Sequence, residues 1–372
     1  MSPSSVIPKE VIIEILRSSE LDQSTLATCC LLSRTHLDSA RKWLYCDIGV
    51  RLNTTMEKGI YGEDMVFWEF TKSTAKLIET VQGSKELRKM IRTLNFHTLP
   101  YYPGDPVSGV RTSLGHAIEP FLMQGCNPQS LGFDDHERDW PNLCIGQLNK
   151  TQQSKLRELT IQEFTEETLE VISWLKGLRH LFISSESPDF EPIGVAGPPK
   201  LEHFTLGNYA RLDLETFLKK SRKTIRQLDL PAESIPHVDL SFYPKLTTLS
   251  IALQSTVMEE EEEDMFEAKK FWSSYSKSKL QVLAFDGHKL SPELEETLFS
   301  ENSGFFKSPP TTLRRIEFHQ TVSFDRLRWI LKNLGPVKEI GFDERFLEDD
   351  EIAVVKLMCW MAKVELIWIR PL

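Results

Sequence analysis

The sequence predicts an α/β chain: a three-helix N-terminal module, then an irregular solenoid of strand–helix units with a parallel sheet on the concave face and helices outside. Three observations predict it. One six-residue pattern, apolar–x–x–apolar–x–apolar, returns ten times after residue 90. Between its copies, apolar residues fall three or four apart, the period of a helix. Residues 7–48 instead carry three amphipathic stripes at helical spacing.

The N-terminal helices come first. Pro8 suits the first turn of a helix, where its missing N–H costs nothing and its φ is already helical. Val11 and Ile15 stand four apart, as do Ile12 and Leu16, and make two adjacent apolar stripes. Ser18, Ser19 and Asp22 interrupt them. Asp22 or Ser24 caps a second helix carrying Leu26, Cys29, Cys30 and Leu32. Leu37, Ala40 and Leu44 define the third. Three short helices bury little core by themselves. Their several apolar faces must pack on something, either the end of the following domain or another protein.

The strand copies are Ile91–Leu94–Phe96, Leu156–Leu159–Ile161, Leu178–Leu181–Ile183, Leu201–Phe204–Leu206, Ile225–Leu228–Leu230, Leu246–Leu249–Ile251, Leu280–Leu283–Phe285, Leu313–Ile316–Phe318, Val337–Ile340–Phe342 and Val364–Ile367–Ile369. A degenerate copy lies at Leu131–Phe133. From residue 156 the starts are 22, 23, 24, 21, 34, 33, 24 and 27 residues apart. This is the period and strand motif of leucine-rich repeats, with two intervals lengthened by insertions. Glu166 to Leu175, the region of Leu214, Phe217 and Leu218, and Phe324 to Leu334 read as the returning helices. Gly177 and Gly335 follow two of them at C′ positions. The Asn or Cys that such repeats place three residues after the third apolar position is missing: Phe164, Glu186, Tyr209, Glu233 and Thr321 stand there. Without that side-chain ladder the curvature is expected to be irregular.

Three segments interrupt the order. Thr98 to Lys150 holds several Pro and Gly residues and an acidic–aromatic patch at Asp134 to Trp140. Ser184 to Lys200 is a Pro/Gly-rich loop. Glu259 to Asp264 is an unbroken acidic run ahead of a helix at Phe266 to Tyr275. It is either a solvated helix start, favoured by the macrodipole, or a contact for a basic target.

Strand phase assigns faces. The second and third apolar positions point into the core, so the alternate residues point out. One outward column is Thr93, Glu158, His180, His203, Gln227, Thr248, Val282, Arg315 and Glu339. The other is Asn95, Thr160, Phe182, Thr205, Asp229, Ser250, Ala284, Glu317 and Gly341. Within them His180, Phe182, His203, Thr205, Gln227 and Asp229 form the candidate target-binding surface. Exposed aromatic residues on a rigid scaffold are frequent contact points. Two neighbouring histidines also invite a metal, but no third ligand is placed beside them.

The remaining chemistry is negative. Hydrophobic residues make up 40% of the chain and charged residues 26%, as in a folded globular protein. Lys9, Glu10, Glu14 and Arg17 break the first apolar run, which is no signal peptide. Lys356, Lys363 and Glu365 interrupt Ala353 to Ile369, which is no convincing membrane span. None of the six cysteines forms a C-x-x-C pair, which fits reduced, buried thiols in a cytoplasmic or nuclear protein. The net charge is −10, and the run at Glu259–Asp264 accounts for six of it, leaving −4 elsewhere. That balance argues against phosphate-driven nucleic-acid binding. No hydrolase, P-loop, zinc-protease or kinase motif is present. The nearest constellation, Asp134-Asp135-His136-Glu137-Arg138-Asp139, reads as solvated loop, with a hydrolase as the distant alternative. No catalytic residue, metal or cofactor is expected.

Residues 7–48 resemble an F-box, and with the repeats behind it the chain is similar to F-box proteins with leucine-rich repeats. The resemblance implies an F-box over 1–50, a helical connector over 51–86 and a repeat solenoid over 87–372. It implies docking on a Skp1-type adaptor, and through it on a cullin, by Ile7, Pro8, Val11, Ile15, Leu16, Leu26 and Leu31. The repeats would hold an unknown target protein for ubiquitination, with no nucleic acid or membrane involved. Ile7 replaces the usual leading Leu, and His36 stands where a Trp is often found, a change expected to weaken adaptor binding. Two alternatives remain: a repeat scaffold whose N-terminal helices only cap the solenoid, and an adaptor-bound protein that directs no degradation.

Overall fold

A computed structural model describes residues 37–58, 64–99, 107–112, 119, 121, 125–134, 140–162, 164–184, 194–207, 212–253, 269–287, 305, 308–319, 322–333, 337–343, 345, 347 and 349–369. The chain forms two compact units, Met1–Val171 and Ile172–Leu372.

In the first unit, helix α1 (Leu37–Leu44) runs almost directly into strand β1 (Asp47–Lys58). A helix stands at the third predicted position, with Ala40 fully buried. β1 pairs antiparallel with β2 (Asp64–Thr71) and parallel with β3 (Thr93–Leu99). β2 holds β4 (Val107–Thr112) antiparallel; β3 holds β5 (Ser130–Asp134), and β5 holds β6 (Glu158–Ile161), both parallel. The order is β4–β2–β1–β3–β5–β6. The connecting helices are α2 (Lys72–Gly83), α3 (Lys85–Met90), α4 (Trp140–Gln147) and α5 (Lys150–Lys155). Thr71 caps α2, Ser84 caps α3, and Asn149 with Gln152 makes a reciprocal capping box on α5.

This corrects the expected helical connector. Much of 51–86 is strand, and among the described residues of that span helix enters with α2 and α3. Asp64–Thr71 is rich in Val, Phe, Trp and Thr, which favour strands. Ile48, Val50 and Leu52 alternate into the core at no more than 2% exposure. Tyr45–Ile48–Val50 in fact fits the repeat spacing, so the sheet opens one strand earlier than the repeat count suggested.

Helix α6 (Glu166–Ser173), closed at its start by reciprocal bonds between Thr165 and Thr168, leads into the second unit. There the strands are β7 (His180–Ile183), β8 (His203–Leu206), β9 (Gln227–Pro231), β10 (Thr248–Leu253), β11 (Val282–Gly287), β12 (Arg315–His319), β13 (Glu339–Asp343) and β14 (Glu365–Ile369). They lie side by side in chain order and pair in parallel. Helices α7 (Leu214–Phe217), α8 (Lys269–Tyr275), α9 (Phe324–Asn333) and α10 (Asp349–Ala362) lie in the connections. Helices stand within the expected spans Glu166 to Leu175, the region of Leu214 to Leu218, Phe266 to Tyr275 and Phe324 to Leu334, the third described from Lys269 onward.

The predicted core positions are buried in every copy from Ile91 to Val337. Where the third position is Phe, the rings stack across strands: Phe96 on Phe133 at 5.4 Å in the first unit, and Phe285 on Phe318 on Phe342 at 5.9 and 5.4 Å in the second. Phe164, at a position where the repeat family has Asn or Cys, is itself buried. Buried Ser221 joins two loops, donating to the Pro198 carbonyl at 2.5 Å and accepting from the Leu201 N–H at 2.9 Å. Gln152 donates to the Cys126 carbonyl at 2.8 Å.

Three details differ from expectation. The described glycines with positive φ are Gly125 and Gly287, so Gly177 is no left-handed helix cap. The last copy is displaced by one residue: Ile340 and Phe342 pair with Leu366 and Trp368, not with Ile367 and Ile369. A one-residue slip exchanges the faces, and Ile369 therefore lies over Gly341, where an added Cβ would meet its Cδ1 at 2.9 Å. Finally, Ala284 and Gly341 occupy outward columns but are buried.

Candidate functional site

The strand register places the predicted surface residues together. His180, His203 and Gln227 face one another across β7, β8 and β9, and so do Phe182, Thr205 and Asp229. Their alternation with buried Leu181, Phe204 and Leu228 sets the direction of each side chain.

Asp229 is the hub. His203 Nε2 lies 2.5 Å from its Oδ2, the Thr205 hydroxyl donates to the same oxygen at 2.8 Å, and Gln227 Nε2 reaches Oδ1 at 3.1 Å. A carboxylate only accepts, so Nε2 of His203 carries the proton in this contact. Thr205 Oγ1 also lies 3.2 Å from that nitrogen. The imidazoles of His180 and His203 are 5.8 Å apart and tilted by 59°. His203 and Asp229 keep 33% and 21% of their side chains exposed, and Phe182 is half-buried beside them. The result is a fixed polar network with an aromatic edge, partly open to solvent. Such networks hold their side chains in one arrangement before binding, which lowers the entropy cost of contact.

A second cluster lies farther along the same face. Arg315 donates to Glu339 at 2.7 Å and to Glu317 at 3.1 Å. His319 Nε2 is 3.7 Å from Glu317. Arg345 grips Asp343 with Nε at 3.0 Å and a terminal nitrogen at 2.6 Å, although only 1% of the Asp343 side chain is exposed. The contact with His319, reinforced by Arg315, holds Glu317 below the usual carboxylate range. Glu317 in turn raises His319, with Asp286 and Asp343 adding to the effect. Arg345 lowers Asp343.

Strand phase predicts Arg315, Glu317 and Glu339 on the outward face, and the same alternation carried one step past the third apolar position reaches Asp286, His319 and Asp343. Arg345 lies beyond the strand, and no periodicity marks it.

No group of three or more His, Cys, Asp or Glu side chains suited to a metal ion stands together among the described residues. A cavity of about 350 Å³ between the turn at Leu240–Phe242 and α8 is lined mainly by Ser and Lys side chains. Burial pushes the Cys126 thiol up to about 12 and Cys359 up to about 11, so neither is a ready nucleophile. The residues expected to dock an adaptor, Ile7, Pro8, Val11, Ile15, Leu16, Leu26 and Leu31, lie outside the described residues, as do His136 and the Glu259–Asp264 run. Among the described residues no helix is long and apolar enough to cross a membrane. No family model matches the chain, and no curated protein matches it.

Proposed function

We propose that this chain is the substrate-recognition subunit of a Skp1–cullin–F-box ubiquitin ligase, with a three-helix F-box at its N-terminus and leucine-rich repeats behind it. The observation that carries the reading is the in-register polar network centred on Asp229, set on successive strand–helix units behind the F-box-like sequence at residues 7–48. In this reading Ile7, Pro8, Val11, Ile15, Leu16, Leu26 and Leu31 dock the adaptor. His180, Phe182, His203, Thr205, Gln227 and Asp229 contact the target. The chain acts by positioning: a tethered target presents its lysines at high effective concentration to the ubiquitin-loaded enzyme, and the chemistry belongs to other subunits.

Capture by a purified Skp1-type adaptor tests it. The parent chain should be captured, and Ile15→Asp should weaken capture by about 30-fold or more, as removal of an interface anchor does, with the circular dichroism spectrum unchanged. No capture of the parent, or equal capture of the variant, rules the reading out. One observation favours a second reading, a repeat scaffold with capping helices. The Cys46 carbonyl just after α1 accepts bonds from Arg92 and Thr93 at 2.9 and 3.0 Å, tying the last N-terminal helix to the sheet.

A further inference from the structure

The cavity between the Leu240–Phe242 turn and α8 carries a charge that the sheet-face network does not use. Its volume of about 350 Å³ lies within the range of small-molecule sites. No strand residue lines it, so it is separate from the surface around Asp229. Lys277, Ser278 and Lys279, three consecutive residues just after α8, all contribute to its wall. Both lysines are exposed, and neither pairs with a carboxylate among the described residues. In a chain of net charge −10, two unneutralised ammonium groups at one cavity favour an anion there.

The hydroxyls of the cavity divide into two groups. Ser241 is committed to Asp239, donating at 2.5 Å. Ser274 is committed too, donating to the Phe271 carbonyl at 2.8 Å and accepting from the Leu240 N–H at 2.9 Å. The Ser278 hydroxyl is withdrawn from solvent and has no partner, a state that costs free energy until an acceptor reaches it. Ser273 stands exposed on the same wall. Among the lining residues the opposing charge is Asp239, and its Oδ1 is already engaged by the Ser241 N–H at 3.0 Å as well as by the hydroxyl. The carbonyls at the end of α8 are also satisfied: those of Trp272, Ser274 and Tyr275 accept from the N–H groups of Ser276, Lys277 and Ser278.

We propose that this cavity binds a small phosphate monoester, its phosphoryl group held by Lys277 and Lys279 and its organic part lying against Pro244, Leu240 and Tyr243. A phosphoryl group carries close to two negative charges at neutral pH and three acceptor oxygens. That matches two ammonium groups and the hydroxyls of Ser273 and Ser278. A carboxylate brings one charge and leaves one lysine unmatched. Ser278 meets the ligand by a change of χ1 rotamer, and its hydroxyl gives up no bond in turning. Exposed Pro244, with Leu240 and Tyr243 almost fully buried beside it, supplies the apolar side that a bare phosphate ion would leave unused.

Phosphorus NMR on the full chain, with phenyl phosphate and inorganic phosphate as separate probes in about 150 mM NaCl to screen unspecific charge, tests it. Phenyl phosphate should bind saturably, and inorganic phosphate about tenfold more weakly for want of the apolar contact. Lys277→Gln and Lys279→Gln should each weaken phenyl phosphate about tenfold, and Ser278→Ala about threefold, with circular dichroism spectra unchanged. Asp239→Asn, which keeps an oxygen for the Ser241 N–H, should tighten it about twofold by removing the opposing charge. Absence of saturable phenyl phosphate binding overturns the proposal. So does parent affinity in the variant carrying both lysine changes, which would put the ligand elsewhere. Equal affinity for the two probes overturns the monoester and leaves an adventitious ion only. Adaptor capture plays no part in this test.

Discussion

The two units build parallel sheet by different routes. In the second, each strand lies beside its predecessor in the chain and the order runs unbroken from β7 to β14. In the first, β1 pairs antiparallel with β2 and parallel with β3, and the chain then returns to lay β4 on the far side of β2. The difference lies in the connections. A crossover of a dozen or more residues delivers the chain to a parallel neighbour, whereas the short link between β1 and β2 can only reverse it. The second unit shows what the repeat does when each strand is followed by a long return. The first shows the same core spacing surviving beside a hairpin that the repeat does not describe.

The aromatic stacks separate the units most sharply. Phe318→Ala removes the middle ring of the second unit's stack, and Phe133→Ala removes one of the first unit's pair. Each should cost about 3–5 kcal/mol, as deletion of a buried aromatic side chain does. If the units are cooperative blocks in their own right, calorimetry should show each variant lowering a different transition. A single transition lowered equally by both would merge the two.

A smaller effect is expected from the buried polar bridges. Ser221→Ala strands the Leu201 N–H in the second unit, and Gln152→Ala strands the Cys126 carbonyl in the first. Each should cost about 1–3 kcal/mol in urea unfolding, the penalty for an unsatisfied buried group. Costs near zero would mean that these bonds are readily replaced by solvent.

The smallest effect is pH-dependent and belongs to the second unit. His319 binds its proton more tightly when folded, so its contribution is complete below its ordinary value of 6.5 and fades as pH rises through the raised folded value. The contribution of Glu317 is complete above its ordinary 4.5 and fades as pH falls through its lowered folded value. Both act in the interval between. His319→Gln should therefore cost up to about 1 kcal/mol near pH 5.5 and little near pH 9, the range of a partly exposed ion pair. A cost independent of pH would assign His319 a packing role only.

The sequence disclosed the second unit more fully than the first, for physical reasons. Burial on one face of a strand enforces a period of two, and helical returns enforce a period near three and a half, so a regular stack writes both into its residues. Register follows, which is why His180, His203 and Gln227 could be placed beside one another without coordinates. β2 lies outside the repeat spacing because a hairpin partner needs only a turn and strand-forming residues. The slip at β14 was equally silent: Val364, Leu366, Ile367, Trp368 and Ile369 are all apolar, so neither face is marked, and the choice falls to the cap at Lys363 and the space above Gly341. Arg345 was invisible because its role depends on Asp343 two residues away, not on any strand phase.

The strict neighbour-to-neighbour order of the second unit also bears on how the chain acquires its structure. No strand from β7 to β14 has to be inserted between two already formed, so each can be added to a growing edge as it leaves the ribosome, and contacts stay local in sequence. Damage should be equally local. Cutting a connection late in this unit is expected to fray the strands beyond it and leave the Asp229 network intact, whereas in the first unit β1 sits between β2 and β3, and its loss would open the sheet on both sides.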